Sequence, residues 1–284
     1  MTSIISKQWL LARLYEPDLV IVDCRFMMGQ PDAGSTAYEE EHIPGAVYMD
    51  LEKDLSAQVT EHGGRHPLPD PDRLVKRLEQ LGISNEVRIV AYDDQGGAMA
   101  SRLWWLMRYL GHADIYILNE GFSDWKNSGY PVKTDQPIRI PQSYIPEIKS
   151  DMLIDVEGVR QSSIQRNSIL LDSREPARYL GLEEPIDSVA GHIPGAINKF
   201  WKELKDEQGL WKKGALLNQH FEDIPRDQEI IVYCGSGVTA CPNILGLYEA
   251  GYNQVKLYGG SWSDWISYEG NAVAIGNEEA PKDV

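Results

Sequence analysis

One cysteine in this chain stands where a reactive sulfur is expected. Cys234 follows the apolar, β-branched run Ile230-Ile231-Val232-Tyr233 and opens the segment Cys234-Gly235-Ser236-Gly237-Val238-Thr239-Ala240-Cys241, after which a helical pattern begins. A cysteine at the carboxyl end of a parallel strand, ahead of a small-residue loop and a helix N-terminus, lies where open α/β sheets bind ligands. Gly235 and Gly237 let the backbone curl so that several N–H groups point inward, and the helix N-terminus adds positive potential. Both favour a negatively charged sulfur, which is the nucleophilic form. The same cradle, running on through Val238 and Thr239, would hold the terminal sulfur of a persulfide anion. Two other readings compete with this one. A free cysteine in a tight turn is often only a small buried hydrophobe. A Cys-dependent phosphatase also wraps an anion between strand and helix, but that chemistry places an Arg six positions after the Cys. Here that position is Ala240, which disfavours phosphate.

The elements that must position Cys234 occur twice. Val20-Ile21-Val22-Asp23-Cys24-Arg25 returns as Ile169-Leu170-Leu171-Asp172-Ser173-Arg174, and Glu41-His42-Ile43-Pro44-Gly45-Ala46 as Gly191-His192-Ile193-Pro194-Gly195-Ala196. Val90-Ala91-Tyr92-Asp93 returns as Ile231-Val232-Tyr233-Cys234, and Gly121-Phe122-Ser123-Asp124-Trp125 as Ser261-Trp262-Ser263-Asp264-Trp265. The offsets are 149 (Asp23 to Asp172), 150 (His42 to His192), 141 (Asp93 to Cys234) and 140 (Trp125 to Trp265). Four matches in one order at nearly one offset mark two copies of a single domain.

Each copy reads as α/β. Short apolar strands at 89–92, 230–233 and 255–258 alternate with helical patterns over 99–108, ended by Gly111, and over about 238–250, ended by Gly251. Such alternation implies a mostly parallel sheet flanked by helices. Pro137 and Pro141 mark a linker. The expected organisation is therefore a first domain over 1–135, a linker over 136–150 and a second domain over 151–284.

Composition narrows the function further. The 284 residues carry 43 acidic against 27 basic side chains, a net charge of −16, which argues against a nucleic-acid partner because phosphate binding needs clustered Lys and Arg. No apolar run approaches the roughly 20 residues of a membrane span. The N-terminal residues lack the basic start and long apolar stretch of a signal peptide. A cytoplasmic, membrane-free protein is the expectation. Cys24, Cys234 and Cys241 are too few and too scattered for a disulfide framework, and they lack the paired spacing of a zinc site. Cys24 and Cys241 are expected to be buried, and Trp104 and Trp105 to belong to the core.

Cys234-Gly235-Ser236-Gly237-Val238-Thr239-Ala240, Asp172-Ser173-Arg174 and the two His-Ile-Pro-Gly-Ala motifs resemble the tandem rhodanese family, and within it the 3-mercaptopyruvate sulfurtransferase branch. The resemblance spans nearly the whole chain. It implies two rhodanese-like domains, the second catalytic and the first inactive, with the active site at their interface. It implies a sulfurtransferase that moves sulfur from a small anionic donor, 3-mercaptopyruvate or thiosulfate, through a Cys234 persulfide. The acceptor would be a thiol such as thioredoxin, or cyanide, with no metal or organic cofactor. A non-enzymatic sulfur-binding module is the rival from another class.

The inactive copy has Asp93 where Cys234 stands in the second, and a carboxylate cannot take up sulfane sulfur. The family's substrate-binding arginines match Arg174 and Arg178, whose planar forks suit a carboxylate. Arg25 shares the Asp-x-Arg context of Arg174, so Arg174 has a structural reading too. His42 and His192 occur in both copies and are read as fold-stabilising. The mercaptopyruvate branch implies a proton relay of Ser236 with a His and an acidic residue. The matching positions here are His66, in Arg65-His66-Pro67, and Asp50 or Glu52. Pro67 departs from the Met expected there. The two positions after the Cys, basic in the thiosulfate-preferring branch, are here Gly235 and Ser236, which favours mercaptopyruvate as donor.

Overall fold

The computed structural model describes residues 2–277. The first half holds β1 (Ile4–Ile5), α1 (Lys7–Leu11), β2 (Leu19–Asp23), α2 (Ala33–Glu40), β3 (Val47–Tyr48), α3 (Pro71–Gln80), β4 (Arg88–Tyr92), α4 (Ala98–Tyr109), β5 (Ile115–Leu118) and α5 (Gly121–Asn127). The second holds β6 (Leu153–Ile154), α6 (Val156–Gln165), β7 (Ile169–Asp172), α7 (Pro176–Tyr179), β8 (Ala196–Asn198), α8 (Gly214–His220), β9 (Ile230–Tyr233), α9 (Ala240–Glu249), β10 (Val255–Tyr258) and α10 (Ser261–Trp265). The sheets run β1-β5-β4-β2-β3 and β6-β10-β9-β7-β8, the same order twice, and every strand pair is parallel. The central strands β4 and β9 are apolar almost throughout because both faces are covered.

Each compact unit has its own core. In one, Ile21, Val90, Tyr92 and Trp125 pack together; in the other, Ile231, Tyr233, Trp262 and Trp265 do. The expected strands at 89–92, 230–233 and 255–258 fall within β4, β9 and β10. The second helix begins at Ala240 rather than Val238, because Val238 and Thr239 stay in the loop that turns around Cys234.

The repeated motifs hold the same joints in both units. Arg25 forks onto Asp23 and Arg174 onto Asp172, each with an Nη2–Oδ2 distance of 2.6 Å. The Tyr92 and Tyr233 hydroxyls each accept the N–H of the residue after the motif histidine, Ile43 and Ile193. His42 and His192 each place Nδ1 2.7 Å from a tyrosine carbonyl, of Tyr38 and Tyr179, and stack on that same ring. These histidines are fully buried joints of the fold.

The compact units are not the two halves of the sequence. Unit 1 comprises Met1–Ala57, Leu68–Ser150 and Lys205–Lys212; unit 2 comprises Gln58–Pro67, Asp151–Leu204 and Lys213–Val284. The stretch 136–150, read from its prolines as a linker, thus belongs to unit 1. Each half also contributes one short segment to the other's unit, which no composition shift announces. Among the described residues no helix is long and apolar enough to cross a membrane.

Candidate active site

The site is assembled within unit 2 around the end of β9. Cys234 is 1% exposed. Its N–H donates to Ser261 Oγ at 3.1 Å, and its carbonyl accepts the Trp262 N–H at 2.9 Å. The Gly235 carbonyl accepts the Ser263 N–H at 3.0 Å, so the loop is tied to the start of α10. Ser261 holds the left-handed φ of 57° that this junction requires; its hydroxyl, bonded to both Cys234 N–H and Tyr258 C=O, fixes it there.

Gly237 is the pivot of the loop. Its φ is +77°, and a Cβ there would lie 2.1 Å from the Gly259 carbonyl oxygen, so only glycine fits. From that position its N–H donates to Cys234 Sγ at 3.2 Å. Cys241, in the first turn of α9, lies under the loop with Sγ 3.4 Å from the Gly237 oxygen. Cys24 directly follows β2, is 1% exposed, and burial holds its thiol well above the ordinary range. Among the described residues no group of three His, Cys, Asp or Glu side chains is placed to hold a metal ion.

The loop of the first copy reveals what such a cradle does with an anion. Asp93 Oδ1 accepts the N–H groups of Gln95 and Gly97 at 2.9 and 2.8 Å, and Oδ2 those of Met99 and Ala100 at 2.8 and 3.0 Å. Burial raises the Asp93 carboxyl while these N–H groups pull it down. The loop of the first copy is therefore filled by its own side chain.

Unit 2 includes the segment 58–67, which brings His66 to the site. His62 Nδ1 lies 2.8 Å from Ser267 Oγ, with its ring stacked on Tyr268; Gly63 N–H donates to Asp264 and Arg65 N–H to Ser263. Held this way, His66 Nδ1 stands 2.8 Å from Ser236 Oγ, and both side chains are buried. Asp50 belongs to unit 1, where its Oδ1 accepts the Glu52 and Lys53 N–H groups and its Oδ2 the Tyr48 hydroxyl.

The two expected substrate arginines differ. Arg174 is committed to Asp172 and to the Gly191 carbonyl, with its side chain only 1% exposed. It repeats the joint that Arg25 makes with Asp23. Arg178 lies alongside Gly235: a Cβ on that glycine would be 3.6 Å from both Nη1 and Nη2. Glu184 and Asp187 hold Arg178 through Nε and Nη2.

Sequence reasoning missed Arg65. Its Nη2 would be 2.7 Å from the same Gly235 Cβ, and its Nη1 pairs with Asp187. The two residues after Cys234 carry no charge themselves, yet two guanidinium groups from elsewhere in the chain stand beside them. The only sequence trace is a basic residue next to His66.

A tandem of parallel five-stranded units, one with a cysteine and one with a carboxylate in the same strand-to-helix loop, defines the class. The rhodanese-like domain model matches residues 6–128 and 156–268, and the chain belongs to that family. A Pseudomonas aeruginosa protein described as "Probable 3-mercaptopyruvate sulfurtransferase" is 41% identical over 96% of this chain and 98% of its own length. The thiosulfate sulfurtransferase of Rattus norvegicus is 31% identical, over 93% of this chain and 92% of its own. Among solved structures, the 3-mercaptopyruvate sulfurtransferase SseA of Escherichia coli superposes with a TM-score of 0.83. It is 30% identical over 93% of this chain and 100% of its own.

Proposed function

We infer that this protein is a sulfurtransferase that carries sulfur as a Cys234 persulfide, with 3-mercaptopyruvate as its donor. The observation that carries the reading is the contrast between the two loops. Asp93 fills the anion cradle of one, whereas the other presents Cys234 with the Gly237 N–H on its sulfur.

In the first step the Cys234 thiolate attacks the sulfur of mercaptopyruvate. An S–S bond forms, the C–S bond breaks, and its electron pair leaves as the enolate of pyruvate, which is then protonated. The outer sulfur stays on Cys234 as a persulfide anion in the N–H cradle formed by the loop from Gly235 to Thr239. In the second step a thiol, such as that of thioredoxin, or cyanide takes the outer sulfur and restores the thiolate. The donor's carboxylate meets Arg178. The Ser236–His66 pair supplies the proton to the enolate. The reading assigns residues 1–135 as the inactive domain and 151–284 as the catalytic one, with the His66 segment lent to the latter, and it locates the reaction in the cytoplasm.

The donor assignment is supported by the single carboxylate of mercaptopyruvate, which suits a guanidinium fork, and by the names of the Pseudomonas and Escherichia relatives. The rat relative favours thiosulfate as a second reading. Both are tested together. Incubation with mercaptopyruvate should add one sulfur to the intact protein, and kcat/KM should be higher than with thiosulfate. Cys234→Ser should abolish the added mass and the activity while leaving the melting temperature nearly unchanged. A Cys234→Ser protein that still gains the sulfur would overturn the persulfide assignment, and faster turnover of thiosulfate would overturn the donor.

A further inference from the structure

Two guanidinium groups flank the residue that follows the nucleophile, and they approach from distant parts of the chain. Arg178 comes from α7. Arg65 comes from the 58–67 segment, and its backbone position does not depend on its side chain because its N–H is bonded to Ser263 Oγ at 3.1 Å. Asp187, with a side chain 4% exposed, joins them: Oδ1 pairs with Arg65 Nη1 and Oδ2 with Arg178 Nη2. Glu184 takes Arg178 Nε and Nη2 as well.

The acids thus hold one side of each fork and leave the other side open. Arg65 Nη2 and Arg178 Nη1 carry no hydrogen bond among the described residues, and they lie 2.7 and 3.6 Å from the point where a Gly235 Cβ would be. Burial lowers the Arg65 guanidinium; Cys234 and Glu184 oppose that shift, and the neighbouring Arg178 and Arg174 add to it.

We propose that Arg65 is a donor-binding residue. Its Nη2 and Arg178 Nη1 form a clamp for the donor's carboxylate, and Gly235 is glycine because any side chain would fill the clamp. Asp187 and Glu184 are the positioning acids that hold the two forks while the site is empty. This rests on the donor being a carboxylate, as proposed above, and it assigns the second cation of the site to the 58–67 segment rather than to Arg174.

The test is equilibrium binding of pyruvate and of its neutral amide, pyruvamide, to the full-length protein. Wild type should bind pyruvate more tightly than pyruvamide. Arg65→Gln should weaken pyruvate about 10-fold, the loss of one charge-assisted hydrogen bond, and leave pyruvamide unchanged. In single turnovers the same variant should raise the half-saturating mercaptopyruvate concentration about 10-fold and change the limiting rate of persulfide formation far less. Arg65→Lys keeps the charge but loses the fork, so it should fall between the two; it carries the test if Arg65→Gln does not fold. Pyruvate binding that is absent, no tighter than that of pyruvamide, or equal in wild type and variants overturns the clamp. Arg65-dependent pyruvate binding in a protein that gains no sulfur from mercaptopyruvate would leave the clamp standing and sink the donor assignment instead.

Discussion

Ser236 and His66 are separated by 170 positions in sequence and by 2.8 Å in space. Such a pair can pass a proton, and its value depends on what the leaving group needs. Pyruvate leaves as a carbon-centred enolate that must be protonated, whereas sulfite leaves thiosulfate as a stable anion. Ser236→Ala should therefore lower kcat with mercaptopyruvate about 100-fold, within the range for general acid catalysis, and slow thiosulfate turnover much less. Equal losses with both donors, measured by steady-state kinetics, would rule out the relay. Arg174 teaches the opposite lesson at the same scale. It has the residue type for carboxylate binding, but Asp172 and the Gly191 carbonyl have already claimed its fork.

The loop after the central strand is one design used for two ends. In unit 1 the N–H groups of Gln95, Gly97, Met99 and Ala100 converge on Asp93; in unit 2 the equivalent turn closes on Cys234 through Gly237. The carboxylate of Asp93 is the structural substitute for a bound anion. Asp93→Asn keeps the shape but turns one acceptor into a donor, leaving two N–H groups facing an amide NH₂. It should destabilise the protein by about 2 kcal/mol, the cost of buried unsatisfied donors, as read from denaturant midpoints. Sulfur transfer at room temperature should survive. A midpoint unchanged from wild type would mean that the cradle tolerates empty donors.

At the scale of the whole chain, each half lends the other a segment. Gln58–Pro67 supplies His66 and Arg65 to unit 2, and Lys205–Lys212 joins unit 1. In the latter segment Lys205 packs its ammonium 4.1 Å from the centre of the Trp211 ring. Burial pulls Lys205 down from 10.5 to about 7, against the opposing pull of Asp93, Asp206 and Glu120. The sign of the stability effect follows from linkage. Below about pH 7 the ammonium is charged in both folded and unfolded chains, so the full cost of burying it is present. Between there and 10.5 the folded protein sheds the proton that the unfolded chain retains, and the cost shrinks to nothing. Lys205→Met should therefore be more stable than wild type at pH 6, with the gap closing by pH 10 in paired melting curves. A gap that stays constant across that range would show that Lys205 folds without losing its proton.

The duplicated α/β architecture, the parallel sheets and the placement of Cys234 were legible in the sequence because each depends on local pattern. Buried parallel strands must be apolar along their length, a glycine is required where a loop must turn at positive φ, and a repeat preserves both at a fixed offset. Pattern also exposed the difference between the copies, since Asp93 stands at the register position of Cys234. What pattern does not carry is which side chains meet across the fold. Arg65 reaches Asp187 across 122 positions, and nothing nearby in sequence marks it as a partner of Cys234. Nor does the motif around Arg174 tell a substrate fork from an internal ion pair, because Asp-x-Arg reads the same in both copies. Tertiary structure decided these points: a charged side chain takes its role from the acceptors that packing leaves within reach.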